Sequence, residues 1–86
     1  MRMPKKQIKE YMHWIVNELS PLCQVCESAP SDDAHHLYFG AYKDDRYLLA
    51  VCRTCHQWCH ANKKLSQLRY GAVVEENYEI YTKEKE

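Results

Sequence analysis

At 86 residues the chain is one domain at most, and a chain this short buries only about 60% of the surface its unfolded form exposes. Five cysteines and five histidines therefore point to a metal or disulfides as reinforcement. No apolar run approaches the roughly 20 residues of a membrane span, and MRMPKKQIKEYMHW lacks the apolar stretch of a signal peptide. Both features argue against membrane and secretory roles and for a cytoplasmic location with reduced thiols. The zero net charge hides an uneven distribution: residues 1–72 carry ten Lys and Arg against seven Asp and Glu, and residues 73–86 carry two against five. A mildly basic body with an acidic tail still fits a nucleic-acid partner.

Pro4 suits the first turn of a helix, and Ile8, Tyr11, Met12, Ile15, Val16 and Leu19 recur at three- and four-residue spacing until Ser20-Pro21 ends the run. The spacing predicts an amphipathic helix over 4–20. Its Lys5, Lys6 and Lys9 form a face that either approaches phosphates or is simply solvated. Residues 22–27 hold the first cysteine pair, and the breaker-rich stretch 28–33 reads as a turn. Apolar runs at 34–39 and 47–51, joined by the polar stretch 40–46, predict a β-hairpin. From Arg53 the pattern turns helical, as one helix or as two broken near Asn62, with Gly71 as a natural stop. The tail, 72–86, is expected to add a strand around Tyr78–Tyr81 and then to fray.

Cys23, Cys26, Cys52 and Cys55 form two C-x2-C pairs. Each pair can supply two thiolates from one turn, which is the usual grip on a tetrahedral zinc ion. Such a site ties the start of the hairpin to the start of the following helix. Its binding free energy, about 10 kcal/mol or more near neutral pH, is comparable with the whole stability of a small domain. Cys59 is left over and reads as a small buried apolar residue, and Trp58 beside it as core. His56 and His60, four apart, lie on one helix face about 6 Å apart along the axis and can share a metal. His35 and His36 are neighbours on a strand and point to opposite faces, so their roles should differ. One completes the ligand set, and the other, with an ordinary pKa of about 6.5, can take a proton from water.

The order C-x2-C, A-H-H and L-L-A-V-C-R-T-C-H-Q-W-C-H, covering Cys23 to His60, resembles the HNH endonuclease family with its ββα-metal (His-Me finger) core. It is especially similar to the zinc-bearing, phage-type members with a double histidine. The resemblance implies an α+β fold: a ββα-metal core over 22–71 with a structural four-cysteine zinc, an added N-terminal helix over 4–20 and an acidic tail over 72–86, all in one domain. It implies His35, His56 and His60 as ligands of a catalytic divalent ion (Mg2+, Mn2+, Ni2+, Co2+ or Zn2+) and His36 as the general base. The middle asparagine expected just before the second strand is missing, and Tyr47 stands near its place. Asp45 corresponds to an aspartate of some phage members that would either orient the base or hold the connecting loop.

On this resemblance the chain is expected to be a metal-dependent DNA endonuclease of low sequence specificity, encoded by a phage or mobile element. His36 would activate water for in-line attack on a phosphodiester, while the ion neutralises phosphate charge. Arg53, Lys63, Lys64 and Arg69 are placed to grip flanking phosphates. The alternative is a non-catalytic zinc module that binds nucleic acid or protein. A protein partner contacted through the tail or through Tyr70, Tyr78 and Tyr81 is a further expectation.

Overall fold

The computed structural model describes residues 1–40 and 43–85. Helix α1 spans Lys5–Trp14 and continues as a π-helical turn over Ile15–Leu19, so the expected helix over 4–20 is present with a widened last turn. Ser20 closes it by donating its N–H to the Ile15 carbonyl at 2.9 Å, and Pro21 prevents continuation. Strands β1, Asp33–His36, and β2, Leu48–Val51, pair antiparallel with His35 opposite Leu49 and His36 opposite Leu48. The expected hairpin is therefore there, shortened at the loop ends. Helix α2 spans Arg53–Ala61 and helix α3 spans Lys63–Glu84. The described residues thus form a small α+β molecule with a two-stranded antiparallel sheet.

All four residues of β2 are buried, so both faces of that strand are covered. Leu49 and Val51 face one cluster, with Cys23, Leu37, Cys52, Cys55, Cys59 and Val74. Leu48 and Ala50 face the other, with Met3, Tyr11, Trp14, Ile15 and Tyr81. The period-two alternation of a strand thereby divides the interior into a sulfur-rich half under α2 and an aromatic half between α1 and α3.

The break at Asn62 has a local cause. Its Nδ2 donates to the Trp58 carbonyl at 3.0 Å, ending α2, while its own carbonyl accepts from the Ser66 N–H at 2.8 Å, starting α3.

The structure corrects the reading of everything after Gly71. That glycine does not stop a helix: it lies inside α3, where an added Cβ would sit 3.1 Å from the Tyr38 hydroxyl. The expected strand at Tyr78–Tyr81 is also helical, and residues 72–84 are not a loose tail. Ser66, Val74, Asn77 and Tyr81 are buried at helical spacing, and the end of α3 is tied to α1 by Trp14 Nε1 donating to Glu84 Oε2 at 2.7 Å. The tyrosines expected at a partner surface take part in packing. Tyr81 is buried against Tyr11 and Trp14, Tyr78 packs beside them, and Tyr70 lies against the sulfur-rich cluster.

Candidate metal and catalytic centre

The four expected zinc ligands converge. The sulfurs of Cys23, Cys26, Cys52 and Cys55 all lie within 4.8 Å of one another, and none of these cysteines is in a disulfide. Cys26 Sγ and Cys52 Sγ are 4.0 Å apart, close to the separation of about 3.8 Å that Zn–S bonds of about 2.3 Å impose in a tetrahedron. The first pair sits in a tight knuckle. The Cys23 N–H donates to the Ala29 carbonyl at 2.8 Å, the Glu27 N–H returns to the Cys23 carbonyl at 3.0 Å, and Glu27 adopts φ of 55°. A backbone N–H, that of Val25, also points at Cys23 Sγ, 3.4 Å away. The second pair brackets the start of α2.

Electrostatics support the same occupant. Burial pushes the Cys55 thiol up, and hydrogen bonds with the other three sulfurs add to it. Hydrogen bonds from Ser28 draw the exposed Cys26 down to about 6. Four sulfurs crowded together cannot all ionise unaided, and a divalent cation removes that conflict. This four-cysteine cluster could hold a zinc ion. Cys59 is buried but outside the quartet, and burial raises it to about 11, as suits a packing residue.

The second cluster consists of His35, His56 and His60, with one ring nitrogen from each within 4.8 Å of the others. Strand β1 presents His35 on the face it shares with Leu49, under α2, while His56 and His60 lie one helical turn apart above it. His56 Nε2 and His60 Nε2 are 3.2 Å apart. His35 Nε2 is buried and has no hydrogen-bond partner. Burial and the two neighbouring histidines lower the pKa of His35 to about 4, so its imidazole is neutral, the form that ligates metal. An orphaned buried nitrogen facing two more imidazole nitrogens fits a divalent cation.

Asp33 belongs to this site, although the sequence did not single it out. Its Oδ2 lies 3.0 Å from His56 Nδ1. The hydrogen bond with His56 chiefly holds the Asp33 carboxyl below its usual range. A carboxylate on Nδ1 fixes the tautomer that leaves Nε2 free for a metal. The sequence signal was an acidic residue two positions before a ligand histidine, too common a pattern to stand out.

His36 lines the same cleft, of about 280 Å3, but is not one of the clustered histidines. Its Nε2 lies 2.8 Å from Asp45 Oδ1, and the other oxygen of Asp45 accepts the Met3 N–H at 2.8 Å. Burial lowers the pKa of His36, partly offset by Asp45. For Asp45 burial pulls upward, but the Met3 N–H and His36 outweigh it and the carboxyl stays below its usual value. Burial thus favours the neutral imidazole, and the hydrogen bonds favour the ionised carboxylate. Near the place of the missing asparagine, Tyr47 packs edge-on against Tyr38 with Arg46 over its ring.

The four candidate phosphate contacts are scattered. Lys63 Nζ sits 4.7 Å from the centre of the Phe39 ring, and Phe39 lines the cleft. Lys64 is exposed. Arg53 Nε is 3.4 Å from Asp33 Oδ2, and Arg69 lies over Trp58 at 6.0 Å.

No protein-family model matches the chain, and no solved structure matches it. Among curated proteins it is similar to the uncharacterized protein YdfU of Escherichia coli (strain K12), 29% identical over 84 residues. That match covers 87% of this chain and 23% of YdfU, so the chain spans about a quarter of its relative's length. Among the described residues no helix is long and apolar enough to cross a membrane.

Proposed function

We propose that this chain is a metal-dependent endonuclease of HNH type acting on DNA, with a structural zinc on Cys23, Cys26, Cys52 and Cys55. The observation that carries the reading is the pairing of two separate arrangements in one cleft: a three-histidine cluster with an unpartnered buried nitrogen, and a fourth histidine hydrogen-bonded to a carboxylate. Metal binding alone needs only the first. The second is what a general base requires: an imidazole free of the ligand set and fixed in orientation.

His35, His56 and His60 would hold a divalent ion, which when bound supplies charge neutralisation at a phosphate and at the departing oxygen. Three imidazoles favour zinc, nickel or cobalt over magnesium. His36 takes the proton from the attacking water, and Asp45 orients the ring and stabilises the imidazolium that forms. Asp33 keeps His56 in its ligating tautomer. The test is nicking of supercoiled plasmid by chelator-treated protein given single divalent metals, with His36→Ala beside the wild type. Metal-dependent nicking that disappears in His36→Ala is the expected result, and nicking retained in that variant sinks the assignment.

A second reading, a zinc module that binds nucleic acid or protein without cutting, is favoured by the tyrosine near the place of the family's asparagine. It predicts no nicking with any metal while zinc and fold are retained.

A further inference from the structure

The cleft has a charge pattern that, of the sequence candidates for DNA binding, only Lys63 shares. Lys43 lines it beside His36, and its charge helps to lower the pKa of that histidine. Lys63 reaches the other side, where its Nζ lies over Phe39 and 3.7 Å from the position of an added Gly40 Cβ. Phe39 in turn packs against His60 and His35, with ring centres 4.8 and 5.7 Å apart. A third cation, the exposed Arg2, extends from a backbone anchored next to the His36–Asp45 pair. The Asp45 N–H donates to the Met1 carbonyl at 2.9 Å and the Met3 N–H donates to Asp45 Oδ2 at 2.8 Å, so the backbone on both sides of the exposed Arg2 is pinned to the partner of His36. Among the described residues none of these three cations is in an ion pair.

Arg53 and Arg69 are placed otherwise. Arg53 shares Asp33 with His56. Arg69 stacks on Trp58, which is two residues from both His56 and His60. At about 100° per residue Trp58 therefore projects from the far side of α2.

We propose that Arg2, Lys43 and Lys63 form a phosphate track through the histidine cleft, touching the phosphates of a nucleic-acid strand on either side of the one presented to the histidines, whereas Arg53 and Arg69 do not touch the strand. Lys43 and Arg2 hold the strand beside His36, and Lys63 holds it beside His60. The Lys63 ammonium is steadied over Phe39 by attraction to the ring face. The inference rests on the nuclease reading only for the identity of the polyanion, because its test reads binding rather than cutting.

The experiment measures anisotropy of a short fluorescent DNA duplex with the 86-residue His36→Ala protein across a salt series. The same measurement is made with Arg2→Gln, Lys43→Gln, Lys63→Gln, Arg53→Gln and Arg69→Gln added singly, each checked for zinc content and circular dichroism. Removing one cation from a phosphate should reduce the slope of log K against log salt by about one. The first three variants are expected to do so, with Kd rising several-fold at fixed salt, and Lys43→Arg to restore the slope. Arg53→Gln and Arg69→Gln should leave it unchanged. Absence of DNA binding at low salt, an unchanged slope in Lys43→Gln and Lys63→Gln, or a reduction confined to Arg53→Gln and Arg69→Gln would each overturn the proposal. If the protein binds DNA through the track yet never nicks plasmid, the nuclease reading fails and the track stands. If it nicks plasmid with unchanged slopes, the reverse holds.

Discussion

A histidine has two ring nitrogens, and a hydrogen bond to one decides what the other is free to do. In this protein two aspartates make that decision differently. Asp33, at Nδ1 of His56, leaves Nε2 facing the other two clustered imidazoles. Asp45, at Nε2 of His36, leaves Nδ1 as the remaining nitrogen. Partners of ligating histidines commonly matter by a factor of about 10 to 100. Asp33→Asn is therefore expected to weaken metal at the histidine cluster by about that much while the cysteine site keeps its zinc, as a cobalt titration followed in the visible spectrum would separate. Asp45→Asn should reduce nicking by a similar factor of about 10 to 100, with cobalt affinity unchanged. A loss of cobalt affinity in Asp45→Asn would instead mean that Asp45 serves the metal cluster.

Among the elements, α3 is where the interior is completed. Asn77 Nδ2 donates to the Leu48 carbonyl and to Gln24 Oε1, both at 2.9 Å, and Gln24 Nε2 returns to Asn77 Oδ1 at 3.0 Å. Gln24 Oε1 also accepts the Ala50 N–H at 2.9 Å, so one amide pair joins the cysteine knuckle, β2 and α3. Asn77→Leu strands a buried carbonyl and the Gln24 amide. Unpaired groups of this kind cost about 1–3 kcal/mol each, and a lowered urea midpoint with unchanged slope is the expected outcome. Removing residues 73–86 exposes Leu48, Ala50, Tyr11 and Trp14 at once. That truncated chain should show no cooperative unfolding transition, whereas a freely frayed tail could be removed without effect.

For the whole molecule, the cysteine cluster connects the parts. The cluster sets the knuckle at Cys23 and Cys26 against the start of α2, and α2 carries both helical histidines, so loss of a zinc ion held there should disorganise the histidine site as well. Removing zinc with a strong chelator is expected to unfold the chain, because a metal contribution of about 10 kcal/mol rivals the entire stability of a domain this size. Cys52→Ser should behave like the chelated protein and Cys59→Ser should remain folded with zinc bound, as circular dichroism and zinc analysis would show. A well-folded, zinc-free Cys52→Ser would remove the metal from its structural role.

The sequence by itself determined the residues that repeat at fixed spacing. Two C-x2-C pairs, the H-x3-H on α2 and the apolar spacing of α1 are local patterns, and each ligand pair they define lies within a turn or two of backbone. It also led to Asp45 as a partner for His36, through the resemblance. Only the tertiary structure decided the rest. The half of helix α3 beyond Gly71 was hidden because its buried face includes Asn77, a polar residue that breaks the apolar period, and because Gly71 resembles a helix stop while actually making room for Tyr38. The partnership of Asp33 with His56, the convergence of His35 with the two helical histidines, and the placing of Lys43 in the cleft with Lys63 over its Phe39 wall depend on pairing β1 with β2 and laying α2 across them. No local pattern encodes those distances, because they exist only once distant segments have packed.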